Sequence, residues 1–346
     1  MSVLKNRRWF NGLLVCLFLS LNLIGCQPAP TSEPEPEPTA TLQPSPTPTP
    51  APLGSPDNPF ILGIVPNDTA PDQASQAAAL ALKLSELTNS SVDILVLDRY
   101  DLLLAEMDAG TVQFAFLQPL TYLAASQNQI ADVALLTNHF GVYYYGAQFL
   151  ANVESGLSFY FDPDTNLNTA DAATALAQLN GLNPCWADST SISGYVLPAG
   201  ILAQNQINIG GGALIPTQTG IIRALYIKGV CDFGVTFSIS GDPRTSSTVI
   251  ADLPDVRERV RVVWQSDPEI PNLNLSYTPS LPAEMRPAFT QAFLDLCKTE
   301  EGKALLSAAA GAYEIQDMRV VDDSVYDPLR DAVNAIGYDI YNALGR

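Results

Sequence analysis

One histidine, His139, stands in 346 residues. An imidazole-based metal centre therefore has no ligand set, and a Ser-His-Asp triad would need His139 beside a GxSxG nucleophile turn that the chain does not contain. Basic residues are also scarce, with 17 Lys and Arg against 36 Asp and Glu. Lys5, Arg7 and Arg8 fall in the first 25 residues, and the 17 less these three leave 14, a balance of −22 for the rest of the chain. Such a surface excludes nucleic acid and anionic lipid as docking partners. The chain has no GxxxxGK phosphate loop, and the GGG at 210–212 reads as a plain loop. Its five cysteines fit no zinc spacing, so neither metal nor cofactor is expected. A solvated surface explains the many acids better than a glycosidase pair does, and a surface hydrolase is the weakest reading.

What is present begins at the N-terminus. "KNRR" followed by the apolar "GLLVCLFLSLNLIG" reads as a signal peptide over 1–25, too short for a lasting membrane span. "LIGC", Leu23 to Cys26, resembles the lipobox of bacterial lipoproteins, so Cys26 is the expected lipidation site and the lipid the only contact with the membrane. Over 26–56, Pro alternates with Thr, Ser, Ala and Glu, a composition that stays extended and forms no core. The folded part is thus placed outside the cell, where disulfides are permitted. Cys185 and Cys231, each in a strand-like stretch ("NPCWAD", "GVCDFGVTF"), are expected to pair, leaving Cys297 free and buried.

Past residue 56 the chain alternates. "FILGIVP", "VDILVL" and "VQFAFL" read as strands, separated by the helical "PDQASQAAALALKLSELTN" and "DRYDLLLAEMDAG". This pattern predicts an α/β fold of two lobes, each a mixed, mainly parallel sheet flanked by helices. Two hinge crossovers, near 148–152 and 264–268, give lobe 1 as 57–149 plus 266–346 and lobe 2 as 150–265. The strand "VRVVWQS" is read as the return to lobe 1. Trp186 and Trp264 read as packing residues, Tyr122 as core and Asp232 as structural.

The most unusual segment is "ADSTSISGYVLPAG". Ser189, Thr190, Ser191 and Ser193 crowd the start of a helix that Pro198 interrupts. A cap needs one such hydroxyl, and four suggest a helix end left open to an anion.

In order along the chain, "QFAFLQPLTYL", "ADSTSISGY", "KGVCDFGVT", "SDPEIPNLNL" and "LPAEM" with "TEEGKALL" resemble the segments of one family. It is the phosphate/phosphonate/phosphite-binding proteins of bacterial ABC importers, within the type II periplasmic binding proteins. The resemblance implies a clamp that closes on a small oxyanion and presents it to ABC permease subunits, with no catalysis and as a monomer. It places the oxyanion grip at Ser191, Ile192 and Ser193, with Gly194 beside them. It adds Tyr100 from the helix after the second strand, Gln118 and Thr121 from the first-lobe loop, and Gln218 or Thr219 where some relatives carry His. Ile192 can offer only its amide where the family has Thr. Leu273 and Asn274 stand where relatives that hold amines carry an acid, so an aminophosphonate is not expected. Another small organic ligand, or a sensing subunit for a membrane receptor, is the alternative reading.

Overall fold

The computed structural model describes residues 50–67, 69–311 and 313–344, so the expected signal peptide, Cys26 and most of the expected linker lie outside the described residues. The first half is built from β1 (Phe60–Ile64), α1 (Gln73–Thr88), β2 (Val92–Val96), α2 (Tyr100–Asp108), β3 (Phe114–Leu117), α3 (Pro119–Gln127) and β4 (Asp132–Asn138). Then come β5 (Tyr144–Asn152), a small hairpin of β6 (Phe161–Asp162) and β7 (Leu167–Asn168), α4 (Ala172–Leu176) and β8 (Pro184–Trp186). They are followed by α5 (Leu197–Gln204), β9 (Ala213–Leu214), α6 (Gln218–Ile227), β10 (Phe233–Ser238), α7 (Ser247–Asp252), α8 (Val256–Arg259) and β11 (Val260–Gln265). The chain closes with β12 (Ile270–Pro271), β13 (Asn274–Tyr277), α9 (Arg286–Leu296), α10 (Glu300–Ala309), β14 (Asp317–Val320), α11 (Asp327–Ala335) and α12 (Ile340–Leu344).

Two sheets result, ordered β14-β4-β13-β3-β1-β2 and β11-β5-β10-β8-β9, with β12 also on β5. By direction each is mainly parallel: β1 to β4 agree in the first sheet, and β8 to β11 in the second. The ladders are less so, because β13, β14 and β5 run against their neighbours. Helices cover both faces. In the first half, Ala77, Leu80, Ala81 and Leu84 put one stripe of α1 against Phe60, Leu62 and Phe289. Leu103, Leu104 and Met107 of α2 fill the opposite face with Leu123 of α3. That spacing of three and four residues is what one face of a helix requires.

The crossovers fall elsewhere than expected. β5 lies wholly in the second sheet, paired with β10 from Gly146 to Leu150, so the chain leaves the first sheet at 139–143. β11 is not the return strand: it pairs with β5 from Val260↔Asn152 to Gln265↔Gln148. The return comes after β12, whose Ile270 and Pro271 pair with Tyr145 and Tyr144. β11 and β12 together fill one edge of β5, from Tyr144 to Asn152, opposite β10.

Nor does the C-terminal segment pack on the first half alone. Leu329 and Val333 of α11 join the cluster around Leu120 and Leu123, while Ala332 joins that of Leu197 and Ile201 on the second half. Gly200 permits this approach, since a Cβ there would lie 2.5 Å from the Ala332 Cβ and 2.6 Å from its Cα.

The cysteines behave as expected: Cys185 and Cys231 are bonded, and Cys297 is free and buried, its thiol pushed up to about 12 chiefly by burial. Joining positions separated by 46 residues, the disulfide contributes about 4 kcal/mol on a chain-entropy basis. Trp186, Trp264 and Tyr122 are buried. Asp232 accepts from the Asn183 amide at 2.8 Å and its side chain at 3.1 Å, which ties the disulfide loop to the turn before β8.

Candidate functional site

A cavity of about 430 Å³ opens between the two sheets. Its walls come from segments that follow carboxyl ends of strands: Gln118 and Pro119 after β3, His139 and Phe140 after β4, Ser191 to Ser193 after β8, Gln218 after β9, Ser240 and Gly241 after β10. In α/β sheets this is where helix N-termini converge and ligands sit. Three N-termini meet the cavity: α3 at Pro119, the helical stretch that begins at Ile192, and α6 at Gln218. Each carries a partial positive charge; Ser191 caps the Gly194 amide and Thr217 the Gly220 amide, whereas α3 has no side-chain cap. Among the described residues no Lys, Arg, Asp or Glu lines the wall.

The second of these ends is built in an unusual way. Pro198 has no N–H, so it cannot bond the Gly194 carbonyl four residues back. That carbonyl instead accepts from Ala187 at 3.0 Å. The bonding slips by one residue, Val196 N–H reaching Ser191 and Leu197 N–H reaching Ile192, and residues Ile192–Val196 form a π turn ahead of α5. The interruption expected at Pro198 is this slip. Such turns recur at functional sites because they widen the helix and re-aim its side chains.

The crowd of hydroxyls divides into distinct tasks. Thr190 bonds Asp188 through both its amide and its hydroxyl, forming the approach turn. The Ser189 carbonyl accepts from the Tyr338 hydroxyl at 2.9 Å. Ser191 Oγ accepts the Gly194 amide at 3.1 Å, so its own proton stays free to donate. Ser193, 4% exposed, has its Oγ 3.4 Å from Gln218 Nε2, while Gln218 Oε1 takes the Phe237 amide at 2.5 Å. Gln218 therefore fixes Ser193 as a donor too. A Cβ on Gly194 would meet Ala187 at 2.4 Å and Ser191 Oγ at 2.8 Å, so only glycine fits the turn.

Residues 62–326 match the family described as ABC transporter, phosphonate, periplasmic substrate-binding protein. The chain belongs to this phosphonate-binding family. Among curated relatives, the phosphate-import protein PhnD of Mycolicibacterium smegmatis is 26% identical over 216 residues, covering 60% of this chain and 62% of its own length. The chain thus spans less than two thirds of that relative. Of solved structures, XAC2383 from Xanthomonas citri bound to chloride ion superposes with a TM-score of 0.59 at 14% identity, covering 82% of this chain and 99% of its own. PhnD1 from Prochlorococcus marinus, in complex with methylphosphonate, gives 0.52 at 11% identity, covering 81% of this chain and 98% of its own. The fold is that of type II periplasmic binding proteins. The phosphonate-binding family is one of substrate carriers, not of enzymes. No helix among the described residues is long and apolar enough to cross a membrane.

Of the residues singled out in the sequence, Gln118, Ser191, Ile192, Ser193 and Gln218 come together on the cavity wall of this phosphonate-binding family member. Gly194 lies directly behind Ser191 as the donor to its hydroxyl. Tyr100, Thr121 and Thr219 are not on the wall. Tyr100 stands on the apolar face of α2 with Leu103, Leu104 and Met107, and its burial raises its pKa. Thr121 is buried within α3, and Thr219 is half-buried on α6. Leu273 lines the cavity, whereas Asn274 is structural, its amide bonding the Leu117 carbonyl at 3.0 Å and the Tyr326 hydroxyl at 2.8 Å.

Sequence reasoning missed the aromatic wall: His139, Phe140, Tyr145, Phe237 and Tyr313. The ring of His139 stacks on Tyr313 and its Nδ1 donates to the Glu314 carbonyl at 2.7 Å. Burial raises the phenol pKa of Tyr145, and pushes that of Tyr313 up to about 12, so both keep their protons at neutral pH. The one available signal was the "HFGV" turn, an aromatic residue where a tight hairpin favours Asn or Gly.

Proposed function

We propose that this chain captures a small ligand bearing a phosphorus oxyanion between its two halves and hands it to an ABC permease. The observation that carries the reading is the meeting of three helix N-termini, together with oriented Ser191 and Ser193 hydroxyls, at a cavity without any cationic side chain. Helix-end amides can hold an anion without a lysine or arginine. Ile192 supplies an amide only. Methylphosphonate in the Prochlorococcus relative and phosphate in the mycobacterial one agree with this class of ligand. Lipid on Cys26 would keep the protein beside its permease; a hydrolysable acyl-glyceryl mass on the N-terminal peptide of membrane-isolated protein is the expected finding, and an unmodified Cys26 would contradict it.

The test is a thermal-shift series with methylphosphonate, phosphite, phosphate and sulfate. At least one phosphorus oxyanion should raise the midpoint, by an amount that grows with its concentration. Hydrogen bonds to charged groups contribute about 1.5–3 kcal/mol each, so Ser193→Ala should weaken binding on the order of 10- to 100-fold. If no phosphorus oxyanion, inorganic or organic, shifts the midpoint, the oxyanion reading fails.

A further inference from the structure

The wall on the first-sheet side is aromatic where an inorganic oxyanion would need nothing apolar. His139 and Tyr313 are stacked, with ring centroids 4.1 Å apart and 20° between planes, and Phe140 tilts against His139 at 4.0 Å. Phe140 is 59% exposed. It occupies the first central position of a two-residue hairpin turn, with φ 50 followed by φ 83 at Gly141, closed by His139 N–H to the Val142 carbonyl at 2.8 Å and the reverse bond at 3.1 Å. Both positions of such a turn favour Asn, Asp or Gly, and a bulky side chain in the left-handed region is strained. The turn is nonetheless held firmly, its Gly141 amide donating to Gln316 Oε1 at 2.7 Å. Strain and exposure at one ring, at the mouth of a binding cavity, mark a residue kept for what it touches and not for the fold. Phe237 and Leu273 add apolar surface to the same cavity.

Among the described residues no Asp or Glu lines the wall to pair with an amine.

Resting on the oxyanion reading above, we propose that the ligand is an organic phosphonate or phosphate ester whose uncharged apolar body packs against the aromatic wall of Phe140, His139 and Tyr313 while its oxygens meet the helix ends. Phe140 is then a specificity-determining residue.

Calorimetry on the full chain compares phenylphosphonate, phenyl phosphate, methylphosphonate, phosphate and 2-aminoethylphosphonate. At least one aryl compound should bind about 10-fold or more tightly than the other three, and which one does separates phosphonate from ester. Phe140→Asn, which suits the turn, should fold with an unchanged or higher midpoint yet cost the aryl ligand several-fold more affinity than it costs methylphosphonate. Tyr313→Ala should do the same to affinity. Equal or tighter binding of phosphate, methylphosphonate or the amine overturns the proposal and leaves the oxyanion reading intact. An aryl preference that survives Phe140→Asn and Tyr313→Ala also overturns it. Failure of all five compounds to bind defeats both.

Discussion

At the scale of single residues, the site depends on acceptors that are already satisfied. Ser191 and Ser193 each receive a bond from inside the protein, which leaves their hydroxyl protons free to donate to a guest. A similar economy holds at Asp323, which accepts from Tyr122 at 2.7 Å, Ser126 at 2.8 Å and Arg330 at 2.9 Å. Burial opposes its charge, yet these partners together hold its carboxyl below the ordinary range. With the folded value below the unfolded one, its contribution is complete above the usual carboxylate pKa and is lost as pH falls through the folded value. Asp323→Asn should therefore cost about 0.5–1 kcal/mol at pH 7, allowing for solvent screening, in urea titrations. The cost should vanish below the ordinary carboxylate range; a deficit constant with pH would contradict the assignment. Residues at this scale were legible where they sat in one contiguous segment. Ser191 and Ser193 could be found in "STSISGY", but the aromatic platform joins residues 139 and 313, and no local pattern connects them.

At the scale of elements, alternation of strand and helix revealed the α/β character, and Pro198 foretold a broken helix. What neither could give was the route between sheets. That depends on which partners β5 and β11 choose, and a run of apolar residues looks the same in either sheet. Likewise α11 reads as an ordinary amphipathic helix, while its placement is decided by Gly200 on another element. Gly200→Val should force α5 and α11 apart at a cost of roughly 1–3 kcal/mol, measured by chemical denaturation. A variant as stable as the parent would mean that the two helices do not bear on one another.

At the scale of the whole molecule, the opposition is between charge and ligand. A balance of −22 outside the first 25 residues repels anions at long range, so the proposed anion would be held only by the short-ranged helix ends. Stopped-flow association of an anionic ligand should accelerate with added salt, as screening removes the repulsion faster than it weakens the contact. A rate that falls with salt would argue for a cationic funnel.

The shared seat of α11 shapes how such a molecule can gape. Its side chains are rooted on both sides, and Tyr338 beyond it grips the Ser189 loop, so the jaws cannot swing as on a free pin. If the two halves move apart, the glycine-alanine seam between α5 and α11 is where one helix would slide along the other. A fluorophore at the exposed Asn334 of α11, beside that seam, should then brighten or dim with occupancy even though it never touches the guest.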